Sequence, residues 1–254
     1  MKLEGWKETL ISKAGKEILI KSVVQAIPQY AMSIFKIPTS ICKSMERKIA
    51  SFWWSNSESK TGQHWKRWDI LKTRKDKGGL GFKDLMDFNK AMLGKQAWRI
   101  AQNRVHMWSR LLKGLYYPDK SFFHAKKGSR PSWGWQSILY GREAISGSVS
   151  WSIGNGETVN IREDPWLKRG IIGGPANVND PSFVADLILK QNAMWDESTL
   201  RRVFDEELVK EISSIPLNLP LGKDKLIWTG KQSGDYTIKN GYNVIRDKVP
   251  PTFL

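Results

Sequence analysis

Residues 84–103 read DLMDFNKAMLGKQAWRIAQN. Leu85, Phe88, Met92, Gln96 or Ala97, and Ile100 recur three and four apart, which puts them on one face of a helix. The helix is expected to begin near Asp84. It follows KGGLGF at 77–82, where three glycines in four positions would cost a helix or strand too much backbone entropy. That segment is therefore read as a loop.

Helical spacing extends in both directions from this stretch. Upstream, Ala14, Ile18, Leu19, Val23, Val24 and Ile27 form an apolar stripe, with Lys13, Lys16 and Lys21 on the rest of the cylinder. Pro28 interrupts that helix and opens a further turn, PQYAMSIF. A helix after Pro38, capped by Thr39 or Ser40, would bury Ile41, Met45, Ile49 and Phe52 and leave Lys43, Arg47 and Lys48 off the stripe. Downstream, Trp108, Leu111, Leu112 and Leu115 mark a helix stopped by Pro118, and Ser132 caps another ending near Ala144.

Beyond residue 148 the period changes. VSWSIGNGETVNI at 149–161 alternates about Asn155-Gly156, a hairpin signal. Residues 170–181 are rich in Gly, Asn and Pro and read as a loop. Asp196 and Asp205 read as caps of two short helices carrying Leu200, Val203 and Phe204, then Leu208 and Ile212. KLIWT and DYTIK, separated by GKQSG, are expected to pair as a second hairpin.

The 254 residues are 40% hydrophobic and include 13 tryptophans, enough for a folded core of one large domain or two small ones. The net charge is +16 and the pI about 9.8. Through Arg142 there are 28 basic and 10 acidic residues, and after it 13 and 15, so the two parts carry +18 and −2. A polyanion partner for the first part follows from that asymmetry. One cysteine, Cys42, excludes an intrachain disulfide and a cysteine-rich zinc site and fits a reducing compartment. Neither a signal peptide nor a membrane span is visible, so an intracellular protein, in cytoplasm or nucleus, is expected.

Chemistry-bearing motifs are sparse. KGGLG can aim backbone N–H groups at an anion, but it matches neither GxxxxGK[ST] nor GxGxxG, which favours a plain turn. Glu163-Asp164 and the acidic run at 205–207 have the right groups for Mg²⁺ and are more simply read as a loop and a helix start. HExxH, GxSxG and CxxC are absent. No cofactor or metal is expected.

The informative stretch is SFWWSNSESKTGQHWKRW at 51–68, which interleaves four tryptophans with basic residues. Such rings either stack bases while the charges track phosphates, or complete the apolar faces of helices. The second reading is favoured for Phe52, Trp53, Trp65 and Trp68. The density of His64, Lys66, Arg67, Lys72, Arg74, Lys75 and Lys77 exceeds what solubility needs.

AGKEILIKSVVQAIPQYAMSIFKIP, FWW, HWKRWDIL, KGGLGFKDL, FNKAMLGKQAWR, WQSILYGRE and WSIGNGETVNIREDPWL occur here in that order. Together they resemble plant LINE-type non-LTR retrotransposon polyproteins, a reverse transcriptase and ribonuclease H protein family. The resemblance runs from the first ten residues to about Tyr242. It implies a fragment lying between the polymerase core and a zinc-binding reverse-transcriptase segment. The implied architecture is mainly α, with a basic thumb-like helical domain at 1–145 and a smaller α+β connector at 146–254 containing short β-hairpins. The family's adjacent catalytic aspartates and its Cys/His cluster have no counterpart in this sequence.

The expectation is a non-catalytic segment that binds RNA, DNA or hybrid by its backbone, without sequence preference and with no membrane partner. Its candidate contacts are Lys43, Arg47, Lys48, His64, Lys66, Arg67, Lys72, Arg74, Lys75, Lys77, Lys95 and Arg99. The alternatives are an enzyme with the parent's RNA-directed DNA polymerase or ribonuclease H activity, and a retroelement remnant or protein-interaction segment.

Overall fold

A computed structural model describes residues 11–55, 63–102, 107–118, 120–174, 180–217, 222–230 and 233–248. In chain order the principal elements are α1 (Lys13–Leu19), α2 (Gln29–Ile34), α3 (Thr39–Trp54), α4 (Trp68–Leu71), α5 (Leu85–Ala101), α6 (Met107–Tyr116) and α7 (Trp133–Ile145), then β1 (Val149–Ser152), β2 (Ile188–Leu189), β3 (Met194–Trp195), α8 (Glu197–Val203), α9 (Glu206–Ser213), β4 (Lys225–Trp228) and α10 (Ile238–Asp247). The fold is mainly α with a small α+β part, as the hydrophobic periods require. No helix of the described residues is long and apolar enough to cross a membrane.

The chain forms two compact units. One comprises Met1–Gln96, Ser132–Ala144 and Ile238–Leu254, and the other Ala97–Pro131 and Ile145–Thr237. The residue-145 boundary drawn from the sequence lies beside one of these crossings.

In the first unit, Ile20, Val24, Met32, Cys42, Ile49, Phe52, Trp53, Phe82, Leu85 and Phe88 pack as one core. The first helix departs from its expected phase. Ser12 caps α1, accepting from the Gly15 N–H at 3.2 Å, and residues Ile20–Val24 then widen into a π-helical turn closed by the Gln25 N–H to the Ile20 carbonyl at 2.9 Å. The extra residue shifts the face. Lys16, Ile20 and Val24 turn inward, while Ile18, expected in the core, is 65% exposed. The Lys16 stem is buried and its ammonium donates to the Ser55 carbonyl at 2.8 Å and Oγ at 2.7 Å.

On α3, Cys42 rather than Ile41 faces the core, and neither Thr39 nor Ser40 caps, Pro38 holding the N-cap position. Asp84 caps α5 as expected, its Oδ1 accepting from the N–H groups of Met86 and Asp87. Buried Asn89 on α5 donates to the carbonyls of Met32 and Phe35 and accepts from the Ile37 N–H, fixing the α2–α3 link. Gly141 of α7 sits so close to α5 that a Cβ there would lie 2.4 Å from the Leu93 carbonyl. The segment DYTIK, read as a strand, instead leads into α10. From α10, Tyr242 packs edge-on against Phe88 and its hydroxyl accepts from the Asp84 N–H at 2.9 Å.

In the second unit the two expected hairpins are replaced by another pairing. β1 pairs antiparallel with β4, Val149 opposite Trp228 and Ser152 opposite Lys225, and β2 pairs with β3. GNGET does not turn the chain back on itself, because Asp224 gathers it. That carboxylate accepts from the N–H groups of Gly154, Gly156 and Thr158 and from the Thr158 hydroxyl, all within 3.0 Å. Gly156 has φ +70°, and a Cβ would meet the Ala185 nitrogen at 2.4 Å. Val159 and Ile161 then enter a core with Trp166, Leu187, Leu200 and Ile212. Asp196 and Asp205 cap α8 and α9 as read from the sequence. On α6 the expected stripe is reversed in part, since Leu111 and Leu115 face solvent while Ser109 is buried. The 170–181 loop is described only outside 175–179.

Candidate nucleic-acid interface

The glycine loop is settled by its hydrogen bonds. The N–H groups of Gly79, Leu80 and Gly81 donate to the carbonyls of Arg74, Leu71 and Thr73, so they are turned inward and the turn reading holds. Gly78 adopts φ +82°, and a Cβ on Gly79 would strike the Thr73 carbonyl at 2.2 Å.

The basic candidates separate into groups with different surroundings. Lys43, Arg47 and Lys48 stand exposed on α3, and His64 and Lys66 stand exposed on the extended segment 63–67. None of these five has an ion-pair partner among the described residues, and the His64 ring stacks on Trp54 with centroids 5.9 Å apart. Lys43, Arg47 and His64 line an open cavity of about 630 Å³, together with Trp68, Ala50, Glu46 and Asp69. Residues 43, 47 and 64 thus converge, although the sequence separates them by up to 21 positions.

The cations nearer the glycine loop are engaged. Arg74 forms a fork onto Asp76 at 2.9 and 3.0 Å. Lys75 lies 2.8 Å from Glu17, which also takes Lys21 at 2.7 Å; the hydrogen bonds from Lys21 and then Lys75 hold the Glu17 carboxyl below its usual range. Lys77 is 3.5 Å from Asp247, and Arg67 lies 3.7 Å from Asp69. Such exposed pairs are weak, about 0–1 kcal/mol, and open readily to a polyanion. Lys95 is half-buried and Arg99 exposed, both on α5, and both have partners within the protein.

Lys72 is a correction. Its ammonium is buried and lies 2.6 Å from Asp84, 3.0 Å from Asp69 and 3.2 Å from Glu46, so it belongs to the core and not to an anion surface. Burial alone would lower the ammonium, but the hydrogen bond and charge of Asp84 raise it above its ordinary value. Burial would likewise raise Asp84, yet Lys72 and the capped N–H groups hold that carboxyl low. Glu46 goes the other way, because burial outweighs its bonds to the Leu85 N–H and Lys72.

Trp65 is the second correction. Trp53 and Trp54 are buried, and Trp68 stacks on Phe82 with centroids 5.0 Å apart. Trp65, expected to cover a neighbour alongside Trp68, is 76% exposed. The spacing of three misled because residues 63–67 are extended, so 65 and 68 share no helix face.

In the second unit, Glu163 and Asp164 border a cavity of about 250 Å³, where Asp164 accepts from the Ser121 hydroxyl at 2.7 Å and the Asn160 N–H at 2.9 Å. The pair ties loops together. No group of three or more His, Cys, Asp or Glu suited to a metal ion occurs among the described residues.

A helical protein with a basic, partly aromatic surface on its first unit is thus defined. Over 143 residues, 56% of this chain and 93% of the other, it is 41% identical to the "Uncharacterized mitochondrial protein AtMg00310" of Arabidopsis thaliana, and it belongs to that protein's family. It is also 27% identical over 259 residues to the "Putative ribonuclease H protein At1g65750" of the same plant, covering 98% of this chain and 42% of that protein. No protein-family profile and no solved structure matches.

Proposed function

We propose that the first unit binds nucleic acid through the phosphate backbone, without sequence preference, as a non-catalytic segment of a LINE-type retroelement reverse transcriptase. The observation that carries this reading is the convergence of Lys43, Arg47 and His64 at one cavity, with Lys48 and Lys66 exposed and no acid pairing any of the five among the described residues. Unpaired cations on a rigid helix neutralise phosphates without first breaking internal ion pairs. The retroelement origin is supported by the block resemblance and by the similarity to a chain named as a ribonuclease H protein, of which this sequence spans under half. The absence of adjacent aspartates in the sequence supports binding over polymerisation.

The test is equilibrium binding of the full chain to a labelled RNA–DNA hybrid across a salt series. Each phosphate contact contributes about −0.9 to the slope of log K against log salt on duplex. Replacing Lys43, Arg47, Lys48 and Lys66 together by Ala is expected to lower the slope by about 3 units, with melting unchanged. An unchanged slope, or salt-independent binding, would remove this surface from the site.

A further inference from the structure

We propose that Trp65 is a stacking platform for an unpaired base, so that this interface takes single-stranded nucleic acid in preference to duplex. The inference rests on the backbone-binding reading above and names the form of the ligand.

Of the four tryptophans between residues 51 and 68, two are buried in the core, one is stacked on Phe82, and Trp65 alone stands in water. An indole left exposed is a large apolar face with no internal role. Its surroundings are cationic: His64 precedes it, Lys66 and Arg67 follow it, and all three are exposed. The segment is extended, and extended chain advances about 3.3 Å per residue, so Lys66 and Arg67 stand within roughly 7 Å of the ring along the backbone. A base laid on the indole would bring its own phosphates within reach of those two side chains. Aromatic rings interleaved with Lys and Arg bind single strands in this way, because every base has a π-face and the contact is blind to sequence.

Duplex cannot use the ring equally. Inside a double helix each base is covered above and below by its neighbours, so only an unpaired or terminal base can lie on Trp65. The free cations on α3 and around the nearby cavity supply phosphate contacts to either form, and the ring adds a contact that only the single strand receives.

The experiment compares the full-length chain with Trp65→Ala and Trp65→Phe, using fluorescein-labelled oligo(dT) of 20 nucleotides, a 20-base-pair duplex, and vesicles with 30% phosphatidylserine. Stacking of one base predicts that Trp65→Ala weakens oligo(dT) binding about 5- to 150-fold. Duplex binding and the urea midpoint should stay nearly constant, and Trp65→Phe should restore most of the loss. The salt slope of Trp65→Ala should match wild type, since no charge is removed. Unchanged oligo(dT) affinity in Trp65→Ala, with salt-dependent wild-type binding intact, overturns the stacking inference and leaves the backbone reading standing. Loss of affinity for oligo(dT) and duplex alike overturns it too. If wild type binds neither nucleic acid, or binds only the vesicles, both readings fall.

Discussion

The Lys72 ammonium lies 2.6 Å from the Asp84 carboxylate that caps α5, within a buried cluster that also holds Glu46. One cation thus compensates the carboxylates that start a central helix. Lys72→Met would leave them buried without it, at a cost of about 3–5 kcal/mol. Urea unfolding checks this. Nucleic-acid affinity measured well below the denaturation range should be unaffected, and a variant with normal stability and weakened binding would return Lys72 to the interface.

The engaged cations should matter less than the free ones. Replacing Arg74, Lys75 and Lys77 together by Ala removes as many charges as three members of the α3 set, but each has an acid partner in the folded chain. The salt slope is expected to fall by under half of the roughly 0.9 per phosphate that free contacts contribute. A fall as steep as that from losing Lys43, Arg47 and Lys48 would show that the pairs open on binding.

Asp164 gives a pH dependence with a defined sign. Burial pushes its carboxyl above the usual range, against the hydrogen bonds from Asn160 and Ser121. Between that raised value and about 3.9 in the unfolded chain, the folded state holds more protons, so this group adds stability as pH falls. Asp164→Asn lacks the effect. Wild type should therefore gain stability relative to the Asn variant from pH 7 to pH 4 in parallel denaturant titrations, and a flat or shrinking difference would contradict the burial.

Gly141→Ala tests the approach of α7 to α5. The added methyl would lie 2.4 Å from the Leu93 carbonyl, backbone that cannot rotate away. Overpacking of this kind costs about 1–3 kcal/mol, read as a lowered denaturation midpoint. Gly134, at the start of the same helix, has open space beside it, and its Ala variant should stay within about 0.5 kcal/mol of wild type.

Purified chain should incorporate no nucleotide on a primed RNA template with Mg²⁺ or Mn²⁺, since two-metal chemistry needs carboxylates placed to clamp both ions. Incorporation abolished by changing one of this chain's own carboxylates would establish an enzyme.

Periodicity carried the helices because apolar repeats at three and four report directly on a buried face, and the caps Asp84, Asp196 and Asp205 were legible from residue type alone. What failed involved partners distant in sequence. DYTIK alternates like a strand, but Tyr236 is buried beside Trp98 and Trp228 and the helix starts two residues later. The hairpin at GNGET was overridden by Asp224, 68 residues beyond Gly156. Lys16 looked solvent-facing because the inserted π turn cannot be read from hydrophobicity. For the site, charge density located the region correctly as basic. It could not separate Lys66, which is free, from Lys72, which is enclosed, because both are simply lysines among polar neighbours.

The bond from the Asp84 N–H to the Tyr242 hydroxyl joins positions 158 apart. A ribosome adding about 5–20 residues per second needs roughly 8–30 s to travel between them. Through that interval the nascent first unit has Phe88 without its α10 cover and the start of α5 without its Tyr242 acceptor. The unit closes only when the last helix emerges, so a message interrupted anywhere before codon 242 yields a chain in which this early-made part never finishes folding.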